Sequence, residues 1–365
     1  MGVTRLEIDL SALRHNYTYL KSKVAKDVKI MAVVKAFGYG SDAVEVALEL
    51  EQLGVYYFAV AYTSEGVALR KAGIKSPILV LHPQPDNFEL LLKNCLEPSL
   101  YSTRVFKAFQ AFAKAHSQKQ YPVHLKFNTG LNRLGFYKQD IDWIVSSLNN
   151  NDSIQVASLF SHLAASEDPK EIDFTQSQIN TFKEITDVLC SQLDNTPFLH
   201  QTNTSAILNY PEAQLDVVRT GIGLYGYGNT AQEDTNLRPV ARLKTVISQI
   251  HTITPGESVG YNRAHKAQSN ERIATLPIGH ADGISRAFGN GVGHVVINGQ
   301  AAPIVGNVCM DMLMINITHI NCEEGADVTV FGEEISAATL AAKINSISYE
   351  LLTAVSQRVK RVVLR

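Results

Sequence analysis

Between residues 30 and 218 the chain alternates eight short apolar runs with stretches of helical periodicity, and only the last run lacks a clear helix behind it. Such strand–helix alternation favours a parallel sheet whose crossovers are right-handed. Eight units at this spacing favour a closed barrel over an open sheet, although the fourth run is weak. The apolar runs lie at 30–34, 57–61, 78–81, near Leu96, 123–127, 154–160, 198–200 and 215–218. The sequence therefore predicts an α/β fold with an N-terminal (β/α)8 TIM-type barrel.

The character of the sequence changes at a linker with several glycine and polar residues, 226–239. Beyond it helical periodicity almost disappears, and Asn298-Gly299 between two apolar runs is a strong signal of a two-residue hairpin. Strand-like runs lie at 243–253, 272–276, 294–297, 301–305, 313–317, 328–331 and 359–364, with helical stretches only near 336–344 and Tyr349. We therefore predict two domains, a barrel at 1–235 and a mostly-β C-terminal domain at 236–365.

Composition and charge exclude several classes of partner. The 365 residues are 45% hydrophobic and 19% charged, and the net charge is −2, so neither nucleic acid nor an anionic membrane is an expected partner. The four cysteines lack metal-site spacing, which indicates reduced thiols and no metal site. The sequence has no apolar run of membrane-helix length and no signal peptide, so we expect a cytoplasmic protein.

Lys35 is the polar residue that most constrains the chemistry. It follows a buried strand and precedes the small or flexible residues Gly38 and Gly40. A buried ammonium is costly, and a lysine at a strand end suits either phosphate binding or a Schiff base. A surface lysine in a loop is the alternative that this stretch alone leaves open.

Further polar side chains follow other strands of the predicted barrel. Because the carboxyl ends of barrel strands meet at one face, we expect these groups to lie together there. Hydroxyls and glycine amides after the last two strands suit a phosphate group, which barrels commonly bind at this place. The polar groups are Tyr39 after strand 1, Arg133 after strand 5, His162 after strand 6, Asn203 and Thr204 after strand 7, and Arg219 with Gly221 after strand 8.

The β domain carries a second group of polar residues. Tyr261 follows a glycine, His280 precedes Ala281-Asp282-Gly283, and Met310-Asp311 lies between two strands. Taken alone, these residues would be read as ordinary turn chemistry.

Together, the motifs of both domains resemble those of the alanine racemase family, and the resemblance covers nearly the whole chain. This family pairs an N-terminal barrel with a C-terminal β domain and uses pyridoxal phosphate. The motifs that carry the resemblance are Ala32-Val33-Val34-Lys35-Ala36 with Tyr39-Gly40, Gly130 with Arg133-Leu134-Gly135, Arg219-Thr220-Gly221-Ile222 with Tyr225-Gly226, and Cys309-Met310-Asp311.

The resemblance implies interconversion of L-alanine and D-alanine, which supplies D-alanine for peptidoglycan. Lys35 would carry pyridoxal 5′-phosphate and act as one catalytic base, and Tyr261 would be the opposing base, supplied by the second subunit of a homodimer with shared active sites. Arg219, held by His200, would face the pyridine nitrogen, and His162 would lie between Arg219 and Tyr261. Arg133 would contact the phenolic oxygen and, with Met310, the substrate carboxylate. The phosphate would be bound by Tyr39, Thr204, Gly221, Ile222 and Tyr349, and Asn203 would also contact the cofactor. Lys126, His280, Arg286 and Asp311 are implied around these groups. Lys126 matches a lysine that is often carbamylated in the family, and the resulting anion can orient Arg133.

Three positions depart from the family pattern. His280 stands where a tyrosine is usual at the active-site entrance, so substrate preference is open. Thr204 replaces the usual serine, and Ser205 is a rival phosphate ligand. Asn128 stands where aspartate is common.

Three alternative functions remain open at this point. A same-fold amino-acid decarboxylase uses an acidic group at the ring nitrogen, against which Arg219 argues. A racemase of serine or of a broader range of amino acids is kept open by His280. A non-catalytic cofactor-binding protein would leave the Tyr261 domain without a role.

Overall fold

The computed structural model describes residues 3–149 and 151–365. After a first strand, β1 (Arg5–Asp9), the next eight strands are parallel and form one sheet in which β9 pairs with β2. The backbone N–H of Arg219 donates to the Thr202 carbonyl across the remaining gap, at 3.3 Å. The strands are β2 (Lys29–Val33), β3 (Tyr57–Val60), β4 (Ile78–Val80), β5 (Glu97–Leu100), β6 (Tyr121–Lys126), β7 (Ile154–Phe160), β8 (Phe198–His200) and β9 (Val217–Thr220). The predicted barrel is confirmed.

Two barrel strands differ from their predicted positions. β9 begins two residues later than expected, and the carboxylate of Asp216, directly before it, accepts the Leu199 N–H at 2.7 Å. Arg219 therefore lies within a strand and not in the loop behind it. The weak run near Leu96 becomes β5, whose Pro98 obscures the strand pattern.

Helices connect the barrel strands. α6 illustrates the pattern, because its buried residues Val105, Phe106, Phe109 and Ala113 recur at helical spacing and form one apolar face. The helices of this part of the chain are α1 (Leu10–Ser22), α2 (Lys35–Tyr39), α3 (Ala43–Gln52), α4 (Thr63–Lys71), α5 (Phe88–Lys93), α6 (Thr103–Ala115), α7 (Ile141–Asn149), α8 (Ile172–Cys190), α9 (Thr204–Asn209) and α10 (Ala231–Asp234). Among the described residues, no helix is both long and apolar enough to cross a membrane.

The C-terminal part of the chain is built on a nine-stranded sheet. The predicted hairpin at Asn298-Gly299 is confirmed, since both residues have positive φ and join paired strands. The predicted run 243–253 divides into two strands, because β10 pairs with β18 while β11 pairs with β14. The elements are β10 (Ala241–Val246), β11 (Gln249–Ile253), β12 (Ser258–Val259), β13 (His265–Lys266), β14 (Glu271–Leu276), β15 (His294–Ile297), β16 (Gln300–Val305), β17 (Leu313–Asn316), β18 (Asp327–Phe331), α11 (Ala337–Ala342), α12 (Ser348–Ala354) and β19 (Lys360–Leu364).

The strand β1 joins the sheet of the C-terminal part and not the barrel. It pairs antiparallel with β10 and parallel with β19, so it lies between them. The domain boundary between residues 235 and 236 stays a prediction, and Met1, Gly2 and Asn150 of the predicted barrel range lie outside the described residues.

The barrel and the β domain meet behind Lys35. A Cβ atom on Gly40 would lie 1.9 Å from the carbonyl oxygen of Leu352 on α12, so only glycine fits there. The guanidinium of Arg361, the second residue of β19, donates to the carbonyls of Gly40 at 2.9 Å and Ser41 at 3.3 Å. The β domain thus holds the end of the loop that carries Lys35.

We expect Gly40→Ala to lower the free energy of unfolding by about 3 kcal/mol or more, because strain and a backbone clash add together. Gly54→Ala is the matched control, since Gly54 has φ 81°, close to the 82° of Gly40, and a Cβ atom on Gly54 would meet no other atom within 4 Å. That variant should lose only about 1 kcal/mol from left-handed strain. Chemical denaturation measures both values, and equal losses would contradict the contact with Leu352.

Candidate active site

A cavity of about 480 Å³ opens at the carboxyl ends of the barrel strands. Its volume and depth suit a small-molecule site. The predicted residues that line it are Lys35, Tyr39, Lys126, Arg133, His162, Asn203, Thr204, Arg219, Gly221, Ile222 and Tyr349. The structure therefore brings most of the predicted site together, while the role of each residue stays a prediction.

The loop behind Lys35 is a single left-handed turn. Ala36, Phe37, Gly38 and Tyr39 all have φ between 52° and 64°. Left-handed conformation costs about 1–2 kcal/mol for each residue that carries a Cβ. The Glu65 carboxylate opposes this strain, because it accepts the Ala36 N–H at 2.6 Å. The turn allows both Lys35 and Tyr39 to face the cavity.

Glu65 also fixes the start of α4. Its carboxylate accepts the backbone N–H groups of Ala61 at 2.7 Å and Tyr62 at 3.1 Å. The helix begins at Thr63, and Glu65 in its first turn caps this end. One carboxylate thus ties the helix and the lysine loop together.

The amine of Lys35 is tuned towards its neutral form. Burial lowers its pKa most, the Arg133 charge lowers it further, and Glu65 opposes the shift. A neutral amine is the form that acts as nucleophile or base.

Arg219 is the most constrained charge in the cavity. Its Nη1 donates to His200 Nδ1 at 2.6 Å and to the His200 carbonyl at 3.2 Å. Its Nη2 donates to His162 Nδ1 at 2.9 Å and to the carbonyls of Ser161 and Gln201 at 2.7 and 3.2 Å. Burial and the Arg133 charge lower the pKa of Arg219 to about 9, so it stays charged at neutral pH.

Both histidines beside Arg219 are neutral. Burial first, then the Arg219 charge, lowers the pKa of His162 and of His200 well below the usual value. A guanidinium has no acceptor atom, so each Nδ1 must accept and each ring proton must lie on Nε2.

Lys126 adds another cation to the same cavity. It is 7% exposed, and its ammonium lies 5.9 Å from the Phe160 ring centre. Burial lowers its pKa to about 8, with Arg133, Arg219 and Lys35 as further causes. Carbamylation of Lys126 stays a prediction. Because no carboxylate is among the described residues that line the cavity, its charge favours an anionic ligand.

Hydroxyl groups gather at one end of the cavity. The Tyr39 ring stacks on Tyr225 at 4.6 Å and lies 5.9 Å from the Tyr349 ring. A Cβ atom on Gly221 would lie 2.1 Å from the Tyr39 hydroxyl, so this close approach requires glycine. Thr204 Oγ1 lies 3.1 Å from Thr220 Oγ1 at the same end.

The hydroxyls of Thr204 and Ser205, the two candidate phosphate ligands, lie in different surroundings. Thr204 lines the cavity, whereas the buried Ser205 hydroxyl donates to the Glu233 carboxylate at 3.0 Å. Asn203 caps α9, since its side-chain oxygen accepts the Ala206 N–H at 2.9 Å. Asn229, which the sequence pattern assigns only to the linker, also lines the cavity.

Apart from Tyr349, which lines the cavity, the predicted residues of the β domain lie elsewhere. Tyr261, Met310 and Asp311 line a second, open concavity of about 610 Å³. Tyr261 is 75% exposed, and Met310 and Met312 are 59% and 50% exposed. His280 and Arg286 are exposed as well, and the His280 N–H donates to the Cys309 carbonyl at 2.9 Å. The concavity is therefore an exposed patch of tyrosine and methionine, outside the barrel cavity.

Arg358, which sequence reasoning missed, holds two loops of this patch. Its guanidinium lies 2.7 Å from the carboxylates of both Asp282 and Asp311. The loop that carries Met310 is thereby tied to the turn that carries His280. Sequence reasoning missed Arg358 because it lies far along the chain from both loops, and no local pattern marks it.

Comparison with known proteins gives one consistent result. The family model described as "Alanine racemase, N-terminal domain" matches residues 8–229, and "Alanine racemase, C-terminal domain" matches residues 240–363. A curated alanine racemase from Halothermothrix orenii is 36% identical, covering 98% of this chain and 96% of the relative.

Solved structures agree with these matches. The alanine racemase of Clostridium difficile 630 has a TM-score of 0.94 at 35% identity, covering 100% of this chain and 96% of that one. The alanine racemase of Bartonella henselae, solved with covalently bound pyridoxal phosphate, has a TM-score of 0.90 at 28% identity and full coverage of both chains.

The hydrogen bonds of Arg219 predict a large penalty for Arg219→Lys. The planar guanidinium of arginine donates to several acceptors at once, which a lysine ammonium cannot do. Buried carbonyls would lose their donor, so the free energy of unfolding should fall by about 3 kcal/mol. Arg133→Lys is the matched control, because Arg133 is exposed and the change should stay within about 0.5 kcal/mol. Denaturant titration of both variants checks this, and a small effect at Arg219 would contradict the described network.

Proposed function

The chain belongs to the alanine racemase family, and from that premise we propose that it interconverts L-alanine and D-alanine with pyridoxal 5′-phosphate and two bases. Lys35 is one base, and Tyr261 of a second copy of the chain is the other. The D-alanine formed would serve peptidoglycan synthesis. The observation that carries the proposal is a cationic barrel cavity around Lys35, together with an exposed Tyr261 outside it.

The donor set of the cavity fits the proposed cofactor. Hydroxyls of Tyr39, Thr204 and Tyr349 and the backbone at Gly221 and Ile222 suit a phosphate group. When bound, the pyridoxal group withdraws electrons from the α-carbon of an attached amino acid and makes its proton removable. The covalent pyridoxal phosphate of the Bartonella henselae protein supports the same assignment.

Racemisation requires that a proton leave one face of the α-carbon and return on the other. Two bases on opposite faces do this more readily than one. Lys35 Nζ can accept a proton because burial lowers the pKa of its ammonium. Tyr261 Oη, which is exposed in the single chain, can donate or accept on the other face.

Arg219 limits the chemistry to racemisation. A guanidinium keeps its protons at ordinary pH, so Arg219 does not protonate a ring nitrogen placed beside it. Electron withdrawal is therefore weaker than with an acidic partner, which favours the return of the proton over transamination. The acidic partner expected of a decarboxylase is absent from the described lining of the cavity.

The remaining site residues bind and orient. Arg133 faces the cavity with an exposed guanidinium, which suits a substrate carboxylate. His162 accepts from Arg219 at Nδ1, so its Nε2–H is the proton available to Tyr261 of the second copy. Met310 would border the carboxylate from the same second copy.

The exposed side chains support a shared dimer. Tyr261, Met310 and Met312 are exposed on the β domain, and Phe37 and Tyr62 are exposed near the lysine loop at 61% and 55%. Exposed apolar groups of this kind are typical of interfaces. A two-fold dimer would cover both patches and bring Tyr261 to the barrel cavity of its partner.

A racemase of broader range is the second candidate. The turn that carries His280 contacts the loop of Met310, because the Ala281 N–H donates to the Met310 carbonyl at 3.0 Å. A histidine at this place offers a polar group that a serine hydroxyl could meet.

We expect pyridoxal phosphate to be attached to Lys35. Borohydride reduction, digestion and mass mapping should place the adduct on the peptide that contains Lys35, and Lys35→Ala should lose it. Lys126→Met is the control for the second buried lysine and should keep the adduct on Lys35. Racemisation of alanine and of serine, measured on the same preparation, separates the two candidate functions. An adduct on another lysine would contradict the proposal.

Mixing two inactive variants tests whether the site is shared. Lys35→Ala and Tyr261→Phe should each be nearly inactive as homodimers. After dissociation and random reassociation, about half of the dimers are mixed, and each mixed dimer has one intact site if the site is shared. Activity should then return to about a quarter of wild type by this symmetry argument. No return of activity, with subunit exchange confirmed by mass, would place both bases on one chain.

A further inference from the structure

A line of polar side chains runs through the lumen of the barrel, below the cavity. Lumen positions of such barrels are usually apolar, and Met31, Ala59, Leu79 and Val217 follow that rule here. The opposite side of the lumen is polar across four consecutive strands, β5 to β8. Its residues are Glu97, His124, Ser158 and His200.

These side chains form a continuous chain of hydrogen bonds. His200 Nε2 lies 2.9 Å from Ser158 Oγ, and Ser158 Oγ lies 2.6 Å from His124 Nδ1. His124 Nε2 lies 2.8 Å from a carboxylate oxygen of Glu97, which also accepts the Tyr57 hydroxyl at 2.6 Å. At its upper end, His200 Nδ1 accepts from Arg219 at 2.6 Å.

The direction of every bond follows from Arg219. Because a guanidinium only donates, His200 Nδ1 accepts and its proton lies on Nε2, which donates to Ser158. Ser158 has one proton, and it goes to His124 Nδ1. His124 then donates from Nε2 to Glu97. A doubly protonated His124 would leave the buried Ser158 proton without an acceptor, at a cost of about 1–3 kcal/mol.

The chain is shielded from solvent. His124, Ser158 and His200 are 0% exposed, and the Glu97 side chain is 12% exposed. None of the four lines the cavity, and the chain of hydrogen bonds reaches it through Arg219.

We propose that Glu97, His124 and Ser158 are positioning residues for Arg219, because they fix the His200 tautomer that accepts from the guanidinium. The opposite tautomer of His200 would point an N–H at the guanidinium donors and displace Arg219. The carboxylate at the far end keeps each proton of the chain directed away from Arg219. This inference rests on the proposed function for its effect on catalysis, whereas the tautomer itself can be measured independently.

The experiment uses the cofactor-loaded protein with ¹⁵N-labelled histidine. Long-range proton–nitrogen correlation should show His124 and His200 as neutral rings protonated at Nε2. Assignments come from His124→Gln and His200→Gln. A His200 protonated at Nδ1, or a doubly protonated His124, would overturn the proposal even if the chain is an active racemase.

Matched serine variants test the effect on the reaction. Ser158→Ala should shift the His124 and His200 signals. It should also lower kcat about tenfold with little change in KM, because the charge-assisted hydrogen bond from Arg219 to His200 would be misaligned. Ser99→Ala removes another hydroxyl that is 0% exposed and has no hydrogen-bond partner among the described residues, so it should change neither. Equal effects of the two variants would overturn the proposal.

A conservative variant keeps the proposal falsifiable if Ser158→Ala fails to fold. Glu97→Gln retains an oxygen acceptor for His124 and should preserve the tautomers, with kcat within about threefold of wild type, since only the charge of the bond is lost. Glu97→Leu should disturb both histidine signals. Undisturbed signals in Glu97→Leu would overturn the proposal. An inactive wild type with the expected tautomers would instead contradict the proposed function alone.

Discussion

The buried guanidinium of Arg219 is the constraint around which the barrel end is built. A buried charge is tolerated only when its hydrogen bonds are satisfied, and here two imidazole nitrogens and three backbone carbonyls satisfy it. Because the guanidinium only donates, it in turn fixes the tautomers of His162 and His200. The same charge helps to lower the pKa of Lys126 on the neighbouring wall. One side chain therefore sets the proton arrangement of most of the cavity.

The left-handed turn after Lys35 shows a second way in which the structure supports the site. Several consecutive residues are held in a conformation that L-residues avoid, and strain of this kind is found mostly at functional sites. The supports come from outside the turn, namely Glu65 of α4 and Arg361 of β19. The position of Lys35 consequently depends on the barrel and on the β domain together.

The sequence was informative where a pattern is local or where a motif is specific. Strand–helix alternation predicted the barrel, and the motifs around Lys35, Arg133 and Arg219 predicted most residues of the cavity. Sequence reasoning did not find the left-handed turn, because Ala36 and Phe37 carry no signal for positive φ. It also missed Asn229 and Arg358, since each reaches its position through contacts between distant segments. The hydrogen-bond chain in the barrel lumen was missed for the same reason, because each strand contributes only one of its members.

The placement of β1 has a consequence for how the protein is assembled. This strand leaves the ribosome before the barrel is made, yet its partners β10 and β19 lie at the two ends of the C-terminal part of the chain. Pairings of such sequence separation form slowly, because a long loop must close first. During synthesis, β1 would wait without a partner until the whole barrel and β10 have emerged, and without its second partner until β19 follows. A fragment cut at the linker would lack the strand between β10 and β19, so the two halves of this chain are not independent units for expression.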